Sequence, residues 1–154
     1  MKILGLTTMG SSAAALLIDG VVVVAIEEER LTRLKNDGGF PYESIKYCLD
    51  AANLNIQDIE KIAVYWQPWR MHGRMYQMLL SAVKDPKNVI NNFSRGIEAI
   101  IGSSGRGFNR YPELRGSWFD LFRIKSLLKS KFGNFNANVR YYDHHKCHAS
   151  SVYY

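Results

Sequence analysis

Three of the chain's four histidines fall within five positions, in Asp143-His144-His145-Lys146-Cys147-His148-Ala149. With a helix beginning near Asp143, His144 and His148 stand at i and i+4 and project from one face. Two imidazoles so placed can chelate one transition-metal ion, with a carboxylate from elsewhere completing the shell. His145 points in another direction and is a candidate base or phosphate donor. The same spacing also occurs in polar helix starts with solvent-exposed histidines, so alone it nominates a metal site without establishing one.

A second candidate runs from Glu27 to Pro41, Glu-Glu-Glu-Arg-Leu-Thr-Arg-Leu-Lys-Asn-Asp-Gly-Gly-Phe-Pro. It starts at the end of an apolar strand and passes through a Gly-rich loop to a helix N-terminus. Ligands of α/β folds collect outside strand ends. Arg33 and Lys35 are candidate anion holders there, and Glu28 or Glu29 could orient them. The plain alternative is a solvated charged loop with internal ion pairs. A third, weaker candidate is Thr7-Thr8-Met9-Gly10-Ser11-Ser12, where small and hydroxylated residues permit a phosphate or other polar ligand to approach the backbone. Ser11 and Ser12 are its candidate substrate contacts. Ser103 to Gly107 has glycines without the P-loop pattern and reads as a linker.

The elements that must hold these residues are legible from periodicity. Lys2 to Leu6 is a short strand, and Ala13 to Ile18 and Val21 to Ile26 form a hairpin about Asp19-Gly20, a pair suited to a type I′ turn. The run Val21 to Val24 predicts a strand buried on both faces. Pro41 opens a helix whose Ile45, Cys48, Leu49 and Ala52 form one apolar stripe, and Asn53 closes it. Lys61 to Trp66 is the next strand, ended by Pro68. Two helices are expected between Met71 and Gly102, one over Trp118 to Lys131, then a strand over Asn138 to Tyr142. The fold class is therefore α/β, a mixed sheet with a leading antiparallel hairpin and helices on its faces. That order resembles the ribonuclease-H-like half-domain of the actin, hexokinase and Hsp70 superfamily.

Composition bounds the rest. The 154 residues suffice for one domain with a sizeable core, and 47% hydrophobic with 22% charged residues is ordinary for a globular protein. The net charge of +6 suits anionic ligands. From Arg106 to Arg140 eight basic residues face only Glu113 and Asp120, yet no nucleic-acid motif accompanies them, which argues against nucleic acid as a partner. Cys48 and Cys147 lack CxxC spacing, so a disulfide framework is not expected and a reducing cytoplasm is the simpler setting. The longest apolar stretch, Ala13 to Ile26, is interrupted by Asp19-Gly20 and cannot span a bilayer, so no membrane partner is expected.

Taken together, ILGLTTMGSSAAALLIDG, EEERLTRLKNDGGFP with YESIKYCLDAANL, and DHHKCHASSVYY resemble the N-terminal part of the O-carbamoyltransferase family. That family includes the nodulation-factor and antibiotic carbamoyltransferases. The resemblance covers nearly the whole chain, with Trp66 to about Gly133 less distinctive. It implies that residues 1–154 are the N-terminal part of a Kae1-like transfer domain. The second half-domain and a YrdC-like domain, which makes carbamoyl adenylate from carbamoyl phosphate and ATP, would be supplied by the rest of the enzyme or a separate subunit. It further implies a divalent metal, Fe²⁺, on His144 and His148, with a further ligand beyond the C-terminus. Lys35 and Arg33 would lie near carbamoyl adenylate, and the acceptor would be a hydroxyl of a small molecule. Where the family carries His-Asp in its first hairpin turn, this chain has Gly10-Ser11. Two other readings stay open: a relative of the tRNA threonylcarbamoyl transferases, and a non-catalytic binding or assembly module of the same fold. A half-domain of this kind is expected to expose an apolar face and to self-associate as a homo-oligomer.

Overall fold

The computed structural model describes residues 1–8, 11–70 and 118–153, together with Gly73, Tyr76 and Leu80. The two helices expected between Met71 and Gly102 and the Ser103 to Gly107 linker lie outside the described residues. Five strands form one sheet: β1 (Lys2–Thr7), β2 (Ala13–Ile18), β3 (Val21–Glu27), β4 (Lys61–Val64) and β5 (Asn138–Tyr141). Helices α1 (Glu28–Thr32) and α2 (Tyr42–Ala51) connect β3 to β4, α3 (Trp118–Phe132) precedes β5, and α4 (His144–Ser150) follows it. The spatial order is β3-β2-β1-β4-β5. β1, β2 and β3 pair antiparallel, whereas β1, β4 and β5 run parallel. This is the mixed α/β sheet with a leading hairpin that the sequence predicts.

Register explains the core. Leu4 lies between Leu16 and Ile62, and Leu6 between Ala14 and Val64. Side chains alternate across a strand, so these six residues share one face, and none is more than 2% exposed. Ile45, Cys48 and Leu49 of α2 and Leu121, Ile124 and Leu128 of α3 join them in one buried cluster. Burying each of the larger aliphatic side chains contributes roughly 1.5–3 kcal/mol, so this face carries most of the cohesion. The other face is lined by small residues. Gly5, Ala13, Ala15, Ala25 and Ala63 floor an open cleft of ≈ 570 Å³ that Tyr65, Tyr142 and Cys147 border.

Local chemistry sets the turns. Asp19 and Gly20 have φ of 51° and 86°, the positive values a type I′ hairpin needs. α2 ends as its sequence predicts: Asn53, at φ 52°, donates to the Asp50 carbonyl, and Leu54 donates to that of Leu49. Those two bonds make a Schellman termination.

Two expectations are corrected. Val21, Val22 and Val23 are 67%, 56% and 49% exposed rather than buried, because β3 is the sheet's outer strand. The charged segment after β3 is not an open loop. Glu28–Thr32 is a short helix, and Glu28, 4% exposed, turns inward instead of orienting Arg33 or Lys35. Its Oε1 accepts the Glu43 amide at 3.0 Å and its Oε2 the Ser44 amide at 2.7 Å. A carboxylate at a helix start satisfies amides that have no partner within the helix and complements the helix dipole. Glu28 is thus a cap for α2 supplied from outside it.

Candidate functional site

α4 begins where β5 ends, and one side chain decides its start. The Asp143 Oδ1 accepts the amides of His145 at 3.0 Å and Lys146 at 3.2 Å, the N-cap arrangement. Its Oδ2 is ion-paired with Arg70, from the short 3₁₀ turn Pro68–Arg70 after β4. β5 is held to β4 up to this point, since the Tyr142 amide donates to the Val64 carbonyl at 2.8 Å. The C-terminal ends of parallel β1, β4 and β5 therefore converge on the histidine helix, where α/β folds place ligands.

From that start, helical periodicity brings His144 and His148 together. Their rings meet edge to face with centroids 4.4 Å apart, and their Nε2 atoms are 3.1 Å apart. A single ion roughly 2.1 Å from each nitrogen would subtend an angle of about 95° at that separation, within ordinary coordination geometry. Two neutral imidazoles sharing one N–H···N hydrogen bond have the same separation. Among the described residues, no group of three or more His, Cys, Asp and Glu side chains forms a ready metal cage. The donor set thus fits a two-histidine contribution to a shell completed from elsewhere.

The surroundings of His144 are aromatic. Trp66 lies against it with centroids 4.5 Å apart, and Tyr65 meets it edge-on at 5.3 Å. The Nδ1 of His144 is buried and has no hydrogen-bond partner among the described residues. Desolvation, then the neighbouring His148 and His145, holds its imidazole below the usual histidine pKa, favouring the neutral form that binds metals. Tyr65 also ties the first hairpin turn to the site: its hydroxyl donates to the Thr8 carbonyl at 2.6 Å. Burial raises the Tyr65 phenol pKa, so it stays protonated and able to donate.

A cleft of ≈ 350 Å³ is lined by Thr7, Ser11, Tyr65, His144, Cys147, His148 and Ser151. It unites the hairpin turn, the end of β4 and the histidine helix. Of the candidates, His144, His148 and Ser11 meet there. Ser11 is exposed, and its carbonyl accepts the Thr7 hydroxyl at 2.9 Å. Ser12 is 1% exposed, and its hydroxyl donates to the Gly39 carbonyl at 2.5 Å while its amide donates to that of Asp37 at 2.9 Å. It pins the hairpin turn to the Gly38-Gly39 loop. His145 is exposed on α4 and does not line the cleft. Arg33 and Lys35 are likewise exposed and outside it. Arg33 takes φ of 62° at the end of α1, donating to the Glu29 carbonyl, and Asn36 takes φ of 57° with its amide on the Glu29 carboxylate.

Sequence reasoning missed Tyr65, Trp66 and Arg70 as parts of this site. The available signal was the aromatic pair Tyr65-Trp66 just past a strand's C-terminal end, one residue short of Pro68.

Over residues 2–154 the sequence matches the carbamoyltransferase N-terminus family. The chain belongs to that family. The resemblance read from the three motifs is therefore borne out. Nodulation protein NolNO of Sinorhizobium fredii is 48% identical over 75 residues, 49% of this chain and 11% of that protein. An uncharacterized protein of Synechocystis is 28% identical over 151 residues, 93% of this chain and 21% of its own length. One from Methanocaldococcus jannaschii is 30% identical over 178 aligned positions, covering 100% of this chain and 28% of the relative. The chain thus spans a minor part of the length of these relatives. Among the described residues of this carbamoyltransferase-family chain, no helix is long and apolar enough to cross a membrane.

Proposed function

We propose that this chain is the N-terminal part of the Kae1-like transfer domain of a cytoplasmic O-carbamoyltransferase. The observation that carries the proposal is the pair of Nε2 atoms 3.1 Å apart on His144 and His148, in one cleft with the first hairpin turn. The family match over residues 2–154 supports carbamoyl transfer as the chemistry. The sheet order β3-β2-β1-β4-β5, with its antiparallel first three strands, supports the ribonuclease-H-like half-domain of the actin, hexokinase and Hsp70 superfamily. Further domains of the enzyme would form carbamoyl adenylate from carbamoyl phosphate and ATP.

In the transfer step the acceptor hydroxyl oxygen forms a bond to the carbamoyl carbon. The bond from that carbon to the adenylate phosphate oxygen breaks, and AMP leaves with the electron pair. The hydroxyl proton needs a base, for which His145 is the nominee on α4. His144 and His148 would hold the divalent metal, Fe²⁺, which when bound supplies positive charge at the phosphate. Arg33 and Lys35, on the exposed turn after α1, would lie near the carbamoyl adenylate as anion-holding cations. Tyr65 and Ser12 keep the hairpin turn where Ser11 can face the ligand.

Anaerobic loading of the purified chain with Fe²⁺ is the first test. The expected outcome is bound metal that is lost in both His144→Ala and His148→Ala. Equal metal in all three proteins overturns the site. Supplying the remaining domains with carbamoyl phosphate, ATP and a hydroxyl acceptor should then give an O-carbamoyl product. Metal binding without any such product would leave a binding module of the same fold.

A further inference from the structure

We propose that Arg70 is a positioning residue for the His144–His148 pair, acting through Asp143. This inference rests on the metal-binding reading of that pair, and its test separates the two.

α4 has seven residues, fewer than two full turns. A helix that short does not persist on intrinsic propensity, so its direction depends on what holds its first turn. Asp143 does this with both oxygens. Oδ1 takes the amides of His145 and Lys146, and Oδ2 meets the Arg70 guanidinium. The Asp143 carbonyl then accepts the Cys147 amide at 3.0 Å, the first bond of the helix. Arg70 itself stands four residues after Trp66, the residue whose ring lies against His144. One short segment after β4 therefore sets both the axis of α4 and the ring plane of its first histidine.

The ion pair is not a stability device. The Arg70 side chain is 56% exposed, and ion pairs in that setting add little to folding. What it adds is direction. A carboxylate already accepting two amides can rotate about its Cα–Cβ bond, and a guanidinium on the second oxygen opposes that rotation. Fraying of the first turn of α4, which carries His144, would open its 3.1 Å separation from the Nε2 of His148, with a cost in metal affinity of the kind outer-shell partners impose.

The experiment is a Co²⁺ titration of the full chain, read by its visible absorption, beside amide hydrogen exchange of residues 145–147 without metal. Arg70→Ala should weaken Co²⁺ about tenfold. It should speed exchange at His145, Lys146 and Cys147 while leaving the amides of β1 and β4 protected. Arg70→Lys should recover part of both effects, since it restores charge without the planar fork. Unchanged exchange at 145–147 in Arg70→Ala overturns the inference whatever the metal does. Loss of protection across β1 and β4 also overturns it, because Arg70 would then be a general stabiliser. If the unaltered chain binds no Co²⁺ while Arg70→Ala still loosens residues 145–147, the metal reading falls and the positioning role stands.

Discussion

The indole of Trp66 lies against the imidazole of His144, with ring centroids 4.5 Å apart and planes inclined by 39°. This contact joins the end of β4 to the first residue of the histidine helix. Desolvation is the leading cause of the lowered pKa of His144, and the indole is one of the groups packed against that ring. Trp66→Ala should release the ring to other rotamers and reduce metal affinity several-fold, whereas Trp66→Phe should keep most of it. Co²⁺ titration of both variants checks this, and equal affinities in the two would refute a packing role for the indole.

Glu28 offers a stability test independent of any ligand. Glu28→Ala strands the amides of Glu43 and Ser44 at the start of α2. Leaving a buried donor unsatisfied costs about 1–3 kcal/mol, so the urea midpoint should fall clearly. Glu28→Gln keeps one acceptor oxygen and should fall less. If Glu28 served mainly to orient Arg33 or Lys35, the alanine variant would lose ligand affinity with little change in midpoint.

Cys48 makes folding sensitive to alkali. Burial pushes its thiol up to about 11 from an ordinary 9.0. The folded chain thus keeps a proton that the unfolded chain releases, so the contribution is intact below pH 9 and is lost as pH rises toward 11. Stability by urea titration should decline across that window, and Cys48→Ala should show a shallower decline. Cys147, Tyr42, Tyr65 and Tyr141, also raised by burial, contribute to the part that remains in the variant.

The outer strand β3 predicts self-association. Val21, Val22 and Val23 are largely exposed on a strand with one edge unpaired among the described residues, the usual template for pairing with another chain. Sedimentation velocity should show concentration-dependent association of the chain. Val22→Lys should reduce it without changing the circular dichroism spectrum. A monomer at all concentrations would count against the edge as an adhesive surface.

Much of this protein is decided by residues close together in sequence. Asp19-Gly20 makes its hairpin because both residues accept positive φ, and Asn53 ends α2 for the same reason. The four-residue spacing of His144 and His148 needs only a helix to bring their rings together, and Asp143 supplies the cap that starts it. Apolar periodicity in α2 and α3 likewise selects the faces that enter the core. These features follow from dihedral preferences and from periods of two and 3.6 residues, which operate over a few positions.

What only the tertiary structure decided depends on which segments become neighbours. A run of valines carries no record of whether its strand will lie in the middle or at the edge of a sheet, and sheet order put β3 outside. Ser11 and Ser12 are adjacent in sequence, yet packing against the Gly38-Gly39 loop buries one hydroxyl and leaves the other residue at the cleft. Glu28 is one of three consecutive glutamates, and only the approach of α2 distinguishes it. Trp66 and Arg70 reach the histidine helix because parallel pairing of β4 with β5 brings their C-terminal ends side by side. Contacts between residues so far apart in the chain are products of sheet topology, and no local spacing encodes them.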